Sequence, residues 1–152
     1  ETGKGAGKGF TINVPLRSGA DDACYVRVFR ELLDPVARAY TPQIILVSAG
    51  FDIYVGDPLG EMKVTPEGFA CLTRMLLNLA DECCKGRLVI VLEGGYHIQG
   101  LTKSVRSVLQ ELLGETQMNQ ETLDRMAEKG SEACRHLIGR VQDKIAPYWP
   151  VF

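Results

Sequence analysis

The sequence predicts an α/β fold: a parallel β-sheet with flanking helices. Ile44-Ile45-Leu46-Val47 and Leu88-Val89-Ile90-Val91-Leu92 are continuous apolar runs rich in β-branched residues. That pattern belongs to strands covered on both faces. Each run ends in small residues that deliver a polar side chain, Ser48-Ala49-Gly50 before Asp52 and Glu93-Gly94-Gly95 before Tyr96. Helical periodicity alternates with strand-like runs along the chain, the order of βαβ units.

The elements follow in order. Residues 1–9 are glycine-rich and read as a surface loop. A phosphate-loop reading fails, because position 2 is Thr where a glycine is needed and Gly7-Lys8 is followed by Gly9 rather than Ser or Thr. Phe10-Thr11-Ile12-Asn13-Val14 alternates and predicts a short strand closed by Pro15. Asp21 or Asp22 can cap a helix that runs to about Tyr40, with Tyr25, Phe29, Leu32, Leu33, Val36 and Tyr40 on one face. Pro35 should kink or briefly interrupt it. Thr41-Pro42 turns the chain into the first apolar run.

Thr65-Pro66-Glu67-Gly68 carries a helix start, with Thr65 as cap and Pro66 at the first helical position. Phe69, Leu72, Leu76, Leu79 and Cys83 continue its apolar face to Lys85-Gly86, a favourable end. After the second apolar strand come a helix over residues 100–113 and a more amphipathic one over 119–145. Pro147-Tyr148-Trp149-Pro150 closes the chain. The implied division is a loop at 1–9, an αβ core at 10–114 and a helical carboxyl-terminal extension at 115–152.

At 152 residues the chain suits one domain with a sizeable core. A formal net charge of −2 leaves no footprint for nucleic acid or for an anionic membrane surface. No apolar run approaches the ~20 residues needed to span a bilayer, and no secretory signal opens the chain, so the expected location is cytoplasmic. The five cysteines, Cys24, Cys71, Cys83, Cys84 and Cys134, make no C-x-x-C pair and are odd in number. Idle reduced thiols are therefore expected, rather than a disulfide framework or a thiolate zinc site.

The two strand ends concentrate the chemistry. In open parallel sheets ligands gather beyond the carboxyl ends of the strands, which would put Asp52 and Tyr96 on one rim. A carboxylate is a hard metal ligand, and a phenol can donate to a carbonyl oxygen. Paired across a cleft, they suit metal-assisted attack of water on an amide or ester. Asp57, in Gly56-Asp57-Pro58, reads as holding its loop; His97 reads as a loop residue and Glu93 as a partner for nearby backbone N–H groups. A lone acid after a strand also serves as a helix cap or turn former.

Ser48-Ala49-Gly50-Phe51-Asp52, followed by Gly56-Asp57-Pro58-Leu59, resembles the S-A-G-F-D…D-P-L segment of zinc-dependent histone deacetylases and acetylpolyamine amidohydrolases. Leu92-Glu93-Gly94-Gly95-Tyr96 is similar to their second carboxyl-terminal motif, in the form of the class II and amidohydrolase-like branch. Phe10 to Leu16 and Thr65 to Phe69 also resemble family segments, so the likeness runs over roughly residues 3–114. It implies the arginase/deacetylase α/β fold and hydrolysis of N-acetyl-lysine or a related acylated amine. It further implies that Asp52 binds the catalytic zinc and that Tyr96 hydrogen-bonds the substrate carbonyl and its tetrahedral intermediate. Leu59, Gly94 and Gly95 would contact substrate; Leu59, where polyamine-selective members carry an acid, leans toward acetyl-lysine-like acyl substrates. The Phe10 carbonyl falls where the family binds a structural cation, potassium.

The departure is large. The family takes its other zinc ligands from a D-x-H segment and its base from a paired-histidine segment, whereas this chain has only His97 and His136. One carboxylate does not hold a catalytic zinc, which takes about three protein ligands. The chain therefore reads as the carboxyl-terminal portion of a deacetylase catalytic domain, inactive alone, with the amino-terminal half as its partner. Such a half would expose a sheet edge and self-associate. The competing reading is a non-catalytic binding or assembly domain that keeps the fold, and a partner half bearing metal ligands would discriminate against it.

Overall fold

The computed structural model describes residues 1–116 and 118–152. The two continuous apolar runs pair directly as parallel strands: β1 spans Ile45–Ala49 and β2 spans Leu88–Leu92, in register from Ile45 opposite Leu88 to Ala49 opposite Leu92. The crossover between them is α3, Pro66–Cys84. Its start is fixed as the sequence predicts. Thr65 caps it, the hydroxyl accepting from the Gly68 N–H at 3.2 Å, and Pro66 sits where a missing N–H costs nothing. The helix ends with Lys85 in the left-handed region at φ 57°, and the Gly86 N–H returns to the Ala80 carbonyl.

Ahead of the sheet, α1 (Asp22–Val28) is capped by Asp21, whose carboxylate accepts from the Cys24 N–H. Asp22 reaches across to α3, accepting from the Thr65 N–H at 2.7 Å and the Thr65 hydroxyl at 2.6 Å. The helix is not simply broken at Pro35. A π-helical turn at Phe29–Leu33 leads into α2 (Asp34–Tyr40), and the chain stays helical throughout. Proline lacks an N–H and its ring crowds the carbonyl four residues earlier; the wider turn just before it relieves that conflict.

Beyond the sheet lie α4 (Ile98–Leu112), α5 (Gln120–Glu128) and α6 (Glu132–Ile145). The single helix expected over 119–145 is thus two. Lys129-Gly130 ends the first, and the Ser131 hydroxyl caps the second by accepting from the Cys134 N–H. No helix among the described residues is long and apolar enough to cross a membrane.

Two expectations about the sheet are corrected. Residues 10–14 form no strand, although they are extended in pattern. Alternation prepares a segment for a sheet but does not supply a neighbour. Here Ile12, Val14 and Leu16 pack instead on the cluster built by α1 and α6. The sheet is also covered on one face only. Ala49 and Ile90 pack against Phe69 of α3 and Val108 of α4. On the opposite face Leu46 is 70% exposed, Val89 44% and Val91 53%. Nothing among the described residues covers the face that its apolar composition is suited to bury.

The cysteines are also corrected. Cys24 of α1 and Cys134 of α6 form a disulfide across 110 residues, Cα to Cα 5.9 Å. Count and short spacing carry no information about partners that only the fold brings together. Helix α6 and the segment after it therefore pack back on the amino-terminal part, where Ile138, Ile145 and Trp149 join Cys24, Val28 and Leu32. The Trp149 indole N–H donates to the Gly9 carbonyl at 2.8 Å.

Of the remaining thiols, Cys71 and Cys84 are buried and Cys83 is partly exposed. Burial pushes the Cys71 thiol up to about 12, with the carboxylates of Glu67, Asp22 and Glu111 adding to the effect. Because this folded-state pKa lies above the ordinary thiol value, the stability it contributes is full below that value. It is lost as pH climbs toward about 12. Iodoacetamide at neutral pH is expected to label Cys83 and to spare Cys71 in the native protein. Equal labelling of the two, read by peptide mass, would contradict this placement.

Candidate active site at the strand ends

The parallel register puts the carboxyl ends of β1 and β2 side by side, and hydrogen bonding continues past both. The Glu93 N–H donates to the Ala49 carbonyl at 3.0 Å, and the Phe51 N–H donates to the Gly94 carbonyl at 2.8 Å. Asp52 lies in the short 3-10 turn Phe51–Ile53 that follows β1. Tyr96 lies in the loop between β2 and α4. The two sequence-predicted groups share one rim.

The contact is close. A Cβ on Gly94 would come 2.6 Å from the Asp52 Oδ2, so the acid lies against the bare backbone of the second loop, two residues before Tyr96. A Cβ on Gly60 would meet the Asp52 carbonyl oxygen at 1.7 Å, so the loop after Asp57 also presses on the turn that carries the acid. At Gly60, where the atom met is backbone, only glycine fits. Asp52 is half-buried, and no hydrogen bond reaches its carboxylate among the described residues. Tyr96 is 56% exposed, and its phenol likewise has no hydrogen-bond partner among them.

Asp57 is buried, and both its oxygens are occupied. Oδ1 accepts from the N–H groups of Leu59 (2.9 Å) and Gly60 (3.0 Å), and Oδ2 from those of Tyr96 (2.7 Å) and His97 (3.2 Å). It is a loop clamp, in keeping with the sequence reading. His97 serves α4 as its cap, Nδ1 accepting from the Gly100 N–H at 2.9 Å, and its ring packs on Tyr54. Glu93 is exposed and, contrary to expectation, its carboxylate takes no backbone N–H among the described residues. Leu59 stands 71% exposed beside the clamp, and Gly95 adopts φ +135° with its backbone against Phe51.

Tyr25, read from sequence only as a helix-face residue, belongs to the surroundings of Asp52. Burial raises its pKa, and the Asp52 charge raises it further. Nothing in the local sequence announces that neighbour, because α1 and the β1 turn meet only in the fold. Phe10 is not on this rim. It lines an apolar groove with Ile44 and Ile45 at the start of β1, edge-on to Tyr40 and Trp149. His136 lies on α6. Among the described residues no three of His, Cys, Asp and Glu gather to hold a metal ion. Asp52 therefore belongs to no such group among the described residues.

Residues 1–112 match the family model described as histone deacetylase domain. The chain belongs to the histone deacetylase family. It is 40% identical over 151 residues to histone deacetylase 18 of Arabidopsis thaliana, covering 97% of this chain and 21% of that protein. It is 49% identical over 114 residues to the polyamine deacetylase HDAC10 of Homo sapiens, covering 74% of this chain and 16% of that one. Two solved histone deacetylase structures superpose closely. The HDA15 HD domain gives a TM-score of 0.85 at 34% identity, covering 98% of this chain and 38% of that chain. The histone deacetylase Clr3 gives 0.86 at 33%, covering 99% and 24%. The two-strand parallel sheet with flanking helices is thus part of the arginase/deacetylase α/β fold. The chain spans about a fifth of the length of the first of those two curated relatives and about a sixth of the second.

Proposed function

We propose that this chain is the carboxyl-terminal portion of a zinc-dependent deacetylase catalytic domain. The intact parent hydrolyses the amide of N-acetyl-lysine or a related acylated amine to a carboxylate and a free amine. The observation that carries this reading is the junction of Asp52 with the Gly94–Tyr96 loop at one sheet rim, in a chain of the histone deacetylase family. When bound by a complete ligand set, zinc supplies Lewis acidity toward the acyl oxygen and makes the attacking water more acidic. Asp52 contributes one anionic ligand to that set. Tyr96 donates its O–H to the acyl oxygen, a bond that strengthens as the carbon becomes tetrahedral and the oxygen gathers charge. Gly94 and Gly95 let substrate approach the backbone, and Leu59 offers an apolar contact at the rim rather than a charge for a polyamine. The Phe10 carbonyl is assigned to a structural potassium ion on resemblance alone.

The partner is an amino-terminal half that brings the remaining ligands and the general base. The bare sheet face of Leu46, Val89 and Val91 supports this, since apolar surface of that kind is suited to burial. Without that half the chain is inactive, and light scattering should show it self-associating at high concentration. The decisive comparison is zinc content and deacetylation of an acetyl-lysine reporter, with and without the ~200 residues that precede the chain in its gene, about one domain's worth. Stoichiometric zinc and activity are expected only in the longer protein. A longer protein with neither, or activity in the 152-residue chain alone, would refute the reading.

A further inference from the structure

We propose that Asp57 is the positioning residue that holds Tyr96 at a fixed place relative to Asp52, through one carboxylate divided between two loops. This deepens the reading above and rests on it. The division is by oxygen. Oδ1 takes the two N–H groups of its own loop, Leu59 and Gly60. Oδ2 takes the N–H of Tyr96 itself and of the next residue, His97, about forty positions away in sequence.

Each half reaches a different member of the site. Gly60, held by Oδ1, lies with its backbone against the Asp52 carbonyl, so its position limits where the acid's turn can sit. The Tyr96 N–H, held by Oδ2, is part of the residue whose phenol does the work. The clamp thus ties the acid's turn and the phenol's loop together through a single rigid group. Its geometry also excludes a ligand role, because both oxygens already accept two N–H groups each.

The anion is the form that fits. Burial alone would raise the pKa of Asp57, but the N–H groups of Tyr96, Gly60, Leu59 and His97 outweigh that and hold it below the ordinary carboxylate value. All four loop groups are donors, and a carboxylate is acceptor-only. An amide in the same place must turn its NH2 toward one pair, so one loop loses its anchor whichever way the group flips. Misplacement of a reacting group by about 1 Å costs roughly 10²-fold in rate.

The test is a double-mutant cycle in the full-length parent, between Asp57→Asn and Tyr96→Phe, with zinc content and circular dichroism as folding controls. Asp57→Asn is expected to lower kcat by roughly 10²-fold with KM for the reporter nearly unchanged. In the Tyr96→Phe background the same change should cost only a few-fold, because there is no longer a hydroxyl to misplace. An equal loss in both backgrounds overturns the positioning role, as does an Asp57→Asn protein of normal kcat. Failure of Tyr96→Phe to slow the reaction is a separate result: it removes the phenol from the chemistry and so refutes the role given to Tyr96 in the reading above, whatever Asp57 does. If Asp57→Asn does not fold, Asp57→Glu carries the same cycle. It keeps the charge but lengthens the arm by a methylene, and its loss of kcat should likewise shrink in the Tyr96→Phe background.

Discussion

Replacing Tyr96 by phenylalanine in the full-length parent is expected to lower kcat by about 10²–10³, with KM changed little. The ring, its loop and the Asp57 anchor on its N–H all stay; only the hydroxyl goes. That hydroxyl has no hydrogen-bond partner among the described residues, and the residue is largely exposed, so its loss should leave stability untouched. The effect is confined to the step in which negative charge gathers on the acyl oxygen. A single preorganised donor to such an oxygen contributes about 2.7–4 kcal/mol, which is the quoted range of rate. Steady-state kinetics on an acetyl-lysine reporter decide the matter, with zinc content measured alongside. A kcat within a few-fold of the parent's would remove Tyr96 from the chemistry.

The largest stability effect is expected from a residue far from any motif. Glu111, at the end of α4, is 1% exposed and forms an ion pair with Arg74 of α3. It also accepts from the Thr116 hydroxyl at 2.8 Å and the Met118 N–H at 3.3 Å. Arg74→Ala would leave a buried carboxylate without its cation, at a cost of about 3–5 kcal/mol. Replacing both partners, Arg74→Met with Glu111→Leu, should recover most of that loss, because the desolvation of both charges disappears with them. Urea denaturation of the three proteins separates the outcomes. A single variant within 1 kcal/mol of the parent (about a fivefold change in equilibrium) would show that Glu111 is not held by this pair.

The parts of the fold that could be read from sequence are those whose signal is local. The two strands announce themselves as apolar runs closed by small residues, and those small residues are what let Asp52 approach Gly94. The start of α3 is written in Thr65-Pro66, a cap followed by a residue that needs no partner for its N–H. Asp57 was legible as a loop former. That its second oxygen reaches Tyr96 was not, since the two lie 39 residues apart and meet only because β2 runs beside β1. The break at Gly130-Ser131 had the right residues for a helix end and a cap, yet the surrounding amphipathic pattern ran straight across it. The extended segment at 10–14 failed as a strand because pairing depends on a neighbour and not on alternation. The Arg74–Glu111 pair has no signal in the sequence, because helical spacing says nothing about a partner on another helix.

The Cys24–Cys134 bond has a topological consequence. Both candidate catalytic side chains lie inside a covalent ring that opens in α1 and closes in α6. A protease cutting the turn at Leu113-Gly114, where Leu113 is 73% exposed, would split the peptide but free no piece until a reductant is added. Nicked and intact chains would then run together on a non-reducing gel and separate only on a reducing one.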